Sequence, residues 1–301
     1  MAVDGDGNIF VTGFFGLNGG TVDFGDGLAR SSDGDRDIFL AAYLPSGTNR
    51  WSKKIGGTGA DEAKGIAVDG QGNIYITGSF EEIATFDGQR LRSEGGTDIF
   101  IAKYKDNGTS ADYLWANRYG DVKNQQASGI ALDGDDNWVV SGEFKGNINF
   151  GGQLLSADNG SNSNSPAIFL AKFTRDSHLW SQAFVQPAGL ADLHCSAPAL
   201  DPSGAITITG LIASPVNFGA GPLLGTAGSG YDAFLVRFAP SGVTLWSKRF
   251  SGPNEENGNT LCADSAGNVF CAGYFNETLD LGGRMLTTRG GQASFLGKFG
   301  P

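Results

Sequence analysis

The string Ile66-Ala67-Val68-Asp69-Gly70-Gln71-Gly72-Asn73-Ile74-Tyr75-Ile76-Thr77-Gly78 recurs, with substitutions, five times in this chain. No other feature constrains the fold as much, because a recurring string of this length marks a recurring supersecondary unit. The other copies run from Ala2 to Gly13, Ile130 to Gly142, Pro198 to Gly210 and Leu261 to Gly273. Asp4, Asp69, Asp133, Asp201 and Asp264 mark the period, with spacings of 65, 64, 68 and 63 residues.

Each unit carries a second block: Phe39-Leu40-Ala41-Ala42-Tyr43, Phe100-Ile101-Ala102-Lys103-Tyr104, Phe169-Leu170-Ala171-Lys172-Phe173, Phe234-Leu235-Val236-Arg237-Phe238 and Phe295-Leu296-Gly297-Lys298-Phe299. A third block opens on tryptophan at Trp51, Trp115, Trp180 and Trp246, and the fifth copy stops before it. These blocks are short, rich in β-branched and aromatic residues, and bounded by Gly, Pro, Asn or Asp, which is a strand signal. No segment keeps a 3.6-residue period over eleven residues, so helices are expected to be few. The 48 glycines of 301 residues, about twice the usual share, suit a chain made of strands and turns. The Asp-Gly-x-Gly-Asn and Pro-Ser-Gly connections are hairpin chemistry.

Four antiparallel strands per unit, joined by a long return link, predict an all-β chain. The expected fold is a β-propeller of five repeated four-stranded blades, the last lacking its outer strand. The units run over about 1–57, 58–121, 122–186, 187–252 and 253–301, within a single domain spanning 1–301. A closed five-bladed ring is the preferred reading, and a fragment of a longer array is the alternative. Ala2, Ala67, Ala131, Ala199 and Cys262 share one place in the first strand, where bulk near an axis is excluded. Cys271 takes the core place of Val11, Ile76, Val140 and Ile208. Cys262 and Cys271 are therefore expected on opposite faces, without a disulfide. Trp138 and the four block-opening tryptophans are expected to pack in the sheets. Lys103, Lys172, Arg237 and Lys298 are expected at a sheet margin.

The strings Asp61-Glu62-Ala63-Lys64-Gly65-Ile66-Ala67-Val68-Asp69, Gly72-Asn73-Ile74-Tyr75-Ile76-Thr77-Gly78 and Asp98-Ile99-Phe100-Ile101-Ala102-Lys103-Tyr104 resemble the bacterial SBBP-type β-propeller repeat. Their first half also looks like the NHL repeat. The resemblance spans almost the whole chain. It implies secreted, periplasmic or cell-surface proteins with binding or adhesion roles, and its name implies seven blades where five copies stand here.

Composition narrows the function. Acidic residues outnumber basic ones 32 to 21, a net charge of −11, which opposes nucleic acid and anionic membranes as partners. No apolar run approaches the length of a membrane span, and Met1 leads into Ala2-Val3-Asp4-Gly5 without a signal-peptide pattern. Three cysteines and two histidines, with no Cys-x-x-Cys, leave no zinc spacing. His194-Cys195 is the one adjacent His/Cys pair, and chance placement explains it better than a metal or a nucleophile. No phosphate loop, nucleophile elbow or haem motif is present, so no enzyme activity and no cofactor are expected.

Insertions between the second and third strands, such as Phe80 to Leu91, Asn147 to Leu154 and Val216 to Gly219, read as small hairpins extending those strands. They share one face with the return links, and loops on a rigid scaffold carry function. Residues just before the first strands would ring an axial funnel: Asp61, Glu62, Gln125, Gln126, Leu193, His194, Glu256 and Asn257. They could hold a sugar or a cation, or form a solvated polar rim. Calcium is a minor alternative at Asp4-Gly5-Asp6-Gly7-Asn8 and at Asp33, Asp35 and Asp37. Asn107, Asn159 and Asn276 head glycosylation patterns. The leading expectation is a non-enzymatic interaction module for a protein or polymer. Its alternatives are a carbohydrate-binding lectin and a structural tile that self-associates through unpaired end strands.

Overall fold

A computed structural model describes residues 1–17, 19–158, 164–175, 177–187, 192–213, 215–224, 230–283 and 285–301. The glycosylation pattern at Asn159 lies outside the described residues. Secondary structure among them is antiparallel strands and turns, with no helix and therefore no helix able to cross a membrane. The chain divides into two compact bodies, Met1–Leu132 and Asp133–Pro301.

In the N-terminal body, repeat 1 forms a meander of Ala2–Val3, Ile9–Phe15, Asp37–Tyr43 and Asn49–Gly57. Repeat 2 repeats it with Glu62–Val68, Asn73–Phe80, Asp98–Asp106 and Ala111–Tyr119. Gln125–Leu132, the first strand of repeat 3, packs on the first two strands of repeat 2. A Cβ on Gly65 would lie 2.7 Å from the backbone of Gly129, so glycine sets how closely these inner strands approach.

In the C-terminal body, repeat 3 continues with Trp138–Phe144, Ala167–Phe173 and His178–Val185 in sequential order. Repeat 4 holds Ile206–Ile212, Asp232–Phe238 and Thr244–Phe250, and its first strand is split into Leu193–Cys195 and Ala199–Leu200. Repeat 5 is a three-stranded sheet of Glu256–Ala263, Val269–Asp280 and Met285–Phe299.

The turns are built as their residues dictate. Asp69 Oδ1 accepts the amides of Gln71 and Asn73, and Oδ2 accepts the Asn73 side chain. Gly72 then sits at φ 77°, a region glycine enters at no steric cost. Asp4, Asp133 and Asp264 repeat the arrangement with Asn8, Asn137 and Asn268. These carboxylates serve their own turns, as the turn reading of the sequence requires. A bulge precedes the last aromatic of the third strand in repeats 1 to 4, at Ala42/Tyr43, Lys103/Tyr104, Lys172/Phe173 and Arg237/Phe238. Such bulges add twist to a strand pair.

The third strand is the centre of the core in repeats 2, 3 and 4. Every residue from Asp98 to Tyr104, Ala167 to Phe173 and Asp232 to Phe238 is buried. Trp138 is buried and stacks on Phe173 at 3.8 Å. Trp51 is buried too, its Nε1 donating to Asp106 at 2.9 Å. Trp115, Trp180 and Trp246 are half-buried. Cys271 is buried, Cys262 is exposed, and both are free thiols, so the two do face opposite ways.

The cations at the fourth third-strand place depart from the expected sheet margin. Lys103, Lys172 and Arg237 are buried. Lys103 sits over the Tyr75 ring at 4.8 Å, Lys172 pairs with Asp133 at 2.9 Å, and Arg237 pairs with Asp201. Their partners, Asp133 and Asp201, are the aspartates of the first turn. Sequence spacing put the two sets far apart, and only the folded hairpin brings each cation back over its turn.

Candidate functional site: the loop hairpins and the buried return links

Each insertion between second and third strands forms a hairpin, as expected. In repeats 1, 3 and 4 the hairpins are separate two-stranded pieces rather than extensions of the flanking strands: Thr21–Val22 with Arg30–Ser31, Asn147–Ile148 with Leu155–Ser156, and Val216–Asn217 with Pro222–Leu223. In repeat 2, Ile83–Phe86 and Gln89–Arg92 add to the outer strand of repeat 1 through Gly56 and Gly57. Repeat 5 alone extends its strands, pairing Thr278 with Thr287.

One phenylalanine anchors each hairpin of repeats 1 to 4. Phe24 meets Phe39 at 4.6 Å, Phe86 meets Phe100 at 5.1 Å, Phe150 meets Phe169 at 4.9 Å, and Phe218 meets Phe234 at 4.9 Å. Ring pairs at these separations add stabilisation beyond their buried area. Leu281 packs in the corresponding place of repeat 5. A left-handed glycine turns the chain after Phe24, Phe150, Phe218 and Leu281, at Gly25, Gly151, Gly219 and Gly282.

Beyond the anchors the hairpins expose large apolar side chains: Leu17 and Leu28 in repeat 1, Leu154 in repeat 3, Leu224 in repeat 4 and Met285 in repeat 5. Repeat 2 places Arg90 and Arg92 outward instead. In the C-terminal body a polar cleft of about 370 Å³ is lined by Asn254, Glu255, Asn276, Glu277 and Gly291. Tyr274 donates to Glu255 at 3.0 Å beside it.

The residues expected to ring a funnel split into two classes. Asp61, Gln125 and Glu256 are fully buried, which corrects the reading of all three as rim ligands. Each takes a backbone amide of its own return link: Asp61 from Gly57 at 2.7 Å, Gln125 from Asp121 at 3.1 Å, and Glu256 from Gly252 at 2.7 Å. Leu193 holds the same place in repeat 4 and is buried. Burial and nearby carboxylates push Asp61 up to about 7 and Glu256 up to about 7. A second buried acid stands opposite, at Asp37, Asp98 and Asp232, the residues that start the third strands. Burial is the main reason that the Asp37 and Asp98 carboxyls lie above the ordinary aspartate range. Sequence reasoning missed Asp98 and Asp232 and read Asp37 as one of three alternating loop aspartates. Their fixed place just before Ile38, Ile99 and Ala233 was the available signal.

The other class is the next residue along each strand. Glu62 is half-buried and paired with Arg36 and Lys64. Gln126 is exposed. His194 is half-exposed and pairs with Glu143 at 2.7 Å, whose Oε1 also accepts the Cys195 amide. Asn257 is half-buried, two residues beyond Glu255 of the C-terminal cleft. Burial pushes the Cys195 thiol far above its ordinary range, which removes its nucleophilic character. Among the described residues no group of three or more His, Cys, Asp or Glu is arranged to hold a metal ion. Asp33 and Asp37 share the Lys54 ammonium, at 2.5 and 3.7 Å, so a cation of the chain itself sits between these two aspartates.

Two relatives match the chain over long stretches. An uncharacterized WD repeat-containing protein L264 of Acanthamoeba polyphaga mimivirus is 25% identical over 92% of this chain. The regulatory protein FlaEY of Caulobacter vibrioides is 26% identical over 48% of it. The chain spans 24% of the first protein's length, and the second alignment covers 15% of FlaEY. Residues 50–79 match the family model described as SBBP, beta-propeller repeat, a span that opens on the Trp51 strand of one repeat and closes within the second strand of the next.

Proposed function

We propose that this chain is a non-enzymatic interaction module, a five-unit propeller-type array whose insertion hairpins present apolar tips to a protein partner. The carrying observation is the contrast between anchor and tip. Phe150 and Phe218 are buried against the third strand, while Leu154 and Leu224, a few residues on, are exposed. Exposed leucines on rigidly based loops of differing sequence are what a protein interface uses at its centre. Support for a binding role also comes from the SBBP repeat match and the WD-repeat relative. The absence of catalytic motifs in the sequence supports a non-enzymatic reading. A secreted, periplasmic or cell-surface place rests on the family resemblance alone, and fractionation of expressing cells tests it.

The test compares the wild-type chain with a Leu28→Ser, Leu154→Ser, Leu224→Ser variant as baits, with melting curves as the folding control. A partner retained by wild type and lost by the folded variant supports the reading. A partner held equally by both sinks the hairpin assignment. The polar cleft at Asn254, Glu255 and Asn276 favours one second reading, a glycan site, because amides and carboxylates are the acceptors that sugar hydroxyls need. A glycan array with and without chelator tests that reading, and a blank array removes it.

A further inference from the structure

In the C-terminal body the polar cleft of about 370 Å³ opens where the link into repeat 5 meets a slip in that repeat's hairpin. Asn254 and Glu255 stand just before the strand Glu256–Ala263. Asn276 and Glu277 stand where Val269–Asp280 changes register against Met285–Phe299. Glu277 keeps φ 62°, a left-handed conformation that a non-glycine residue enters at an energetic cost. Gly291, across the slip from it, has open space where a Cβ would stand.

The donors nearest Glu255 are already engaged. Tyr274 donates its hydroxyl to Glu255 Oε1 at 3.0 Å, and the Asn276 backbone and side-chain amides donate to the Glu255 carbonyl at 3.2 and 3.4 Å. Tyr231 donates to Asp192. Glu255 Oε2 and both carboxylate oxygens of Glu277 accept no hydrogen bond from the described residues. The ion pairs of this body stand at other acids, so among the described residues no cation of the chain answers Glu255, Glu277 or Asp192. The field that results reaches both half-buried tyrosines. The Tyr231 hydroxyl is held above the ordinary tyrosine range, first by its bond to Asp192 and also by the Glu255 charge. Tyr274 is raised by burial and then by Glu255.

We propose that this cleft binds a saccharide that carries a free amino group, with the ammonium seated between Glu255 and Glu277. The proposal rests on the glycan reading of the cleft and names the class of sugar. An ammonium brings three donors and a positive charge, the two things that this wall lacks. The same carboxylates repel an acidic sugar, and a neutral one gains nothing from their charge. The volume falls within the range of small-molecule sites, about 300–1,000 Å³. That is room for a sugar ring, and more than the end of an alkylamine chain fills. Tyr231 and Tyr274 each present an apolar body with a polar tip, which suits a ligand with both kinds of surface.

The test is titration calorimetry of the 301-residue chain with three probes: the trisaccharide of glucosamine, its fully N-acetylated form, and cadaverine, an amine without a ring. The free-amine trisaccharide should bind at least about tenfold tighter than the acetylated one, because acetylation removes the charge. Glu277→Gln should weaken it about fivefold with an unchanged melting temperature, since Glu277 is exposed. Glu255→Gln, which keeps an acceptor for Tyr274, should do the same. Asp135→Asn, which removes an exposed acid outside the cleft, should leave binding unchanged. Equal affinity for the two trisaccharides overturns the amine assignment and leaves the glycan reading standing. Binding of neither removes both. Cadaverine held as tightly as the amino sugar, or Asp135→Asn as damaging as Glu277→Gln, also overturns the proposal, by showing attraction to charge alone.

Discussion

Asp37 and Asp61 flank Gly56, both fully buried, each with an Oδ1 that has no hydrogen-bond partner. A Cβ on Gly56 would come 2.2 Å from the first carboxylate and 2.8 Å from the second. Burial and the Asp37 charge raise Asp61 to about 7, so the site resists joint ionisation below that pH. The other repeats show the same pressure relieved in different ways. Repeat 2 sets Asp98 against the neutral amide of Gln125, both beside Gly120. The Asp232 and Glu256 carboxylates interact across the next such site, in repeats 4 and 5. At the link between repeats 3 and 4 the two places hold Ala167 and Leu193, and no acid remains.

Stability should therefore fall as pH rises through neutrality. The carboxyl of Asp61 moves from 3.8 to about 7 on folding, and that of Glu256 from 4.5 to about 7. Between those limits the folded state holds protons that the unfolded state has released, so the stabilisation is complete below the unfolded value and lost as pH rises through about 7. Melting temperature measured from pH 5 to 8 should decline. Asp61→Asn with Glu256→Gln, which copies the neutral amide that Gln125 already supplies, should flatten the slope. A wild-type curve flat over that range would rule out a proton held by the pair. Lys54, which lies 3.7 Å from Asp37, and the Asp33 and Glu81 charges nearby act on the pair from outside.

Gly56→Ala and Gly120→Ala test the same sites sterically. Each added methyl would press on a buried acid or amide, at φ 152° and 159°. A loss of more than about 2 kcal/mol in denaturant unfolding is expected for each. Gly5→Ala meets nothing within 4 Å and should stay within about 0.5 kcal/mol of wild type. Equal effects at all three positions would show that glycine is not needed at these links.

Much of this fold was legible in the repeat. The strand order, the hairpin turns, the short fifth sheet and the opposed Cys262 and Cys271 follow from spacing and period alone. The buried polar network did not. Asp61 and Glu256 read as surface groups because polarity is the only property a sequence displays, and their burial depends on Asp37 and Asp232 folding over from a neighbouring strand. The same blindness hid Lys172 and Arg237, whose partners lie about forty residues away in sequence.

Arg237→Met should be costly. It removes the partner of Asp201 in a pair whose side chains are both nearly sealed from solvent. Leaving a buried charge unpaired costs about 3 kcal/mol or more, whereas removing both charges is far milder. Unfolding of Arg237→Met, Asp201→Asn and the double variant should show the double closest to wild type. A double variant whose loss equals the sum of the two single losses would mean that the two residues act separately.

Turn aspartates should differ by their burial. Asp69 and Asn73 are both buried, while Asp4 and Asn8 are half-buried. Asp69→Ala strands buried amides and should cost about 1–3 kcal/mol. Asp4→Ala leaves its amides within reach of water and should cost less. Thermal unfolding of the two single variants decides the order, and a larger loss at Asp4 would contradict it.

The phenylalanine floor under the hairpins has a consequence for how such a chain diversifies. Phe24, Phe86, Phe150 and Phe218 rest on equivalent rings at nearly equal distances, yet the segments above them differ in length, charge and apolarity. The base is therefore a socket of fixed shape, and the part above it is free cargo. A foreign loop that keeps the aromatic anchor and its following glycine should seat in any of three sockets, at Phe24, Phe150 or Phe218. Recombination between repeats could shuffle tips in the same way while the scaffold stays unchanged.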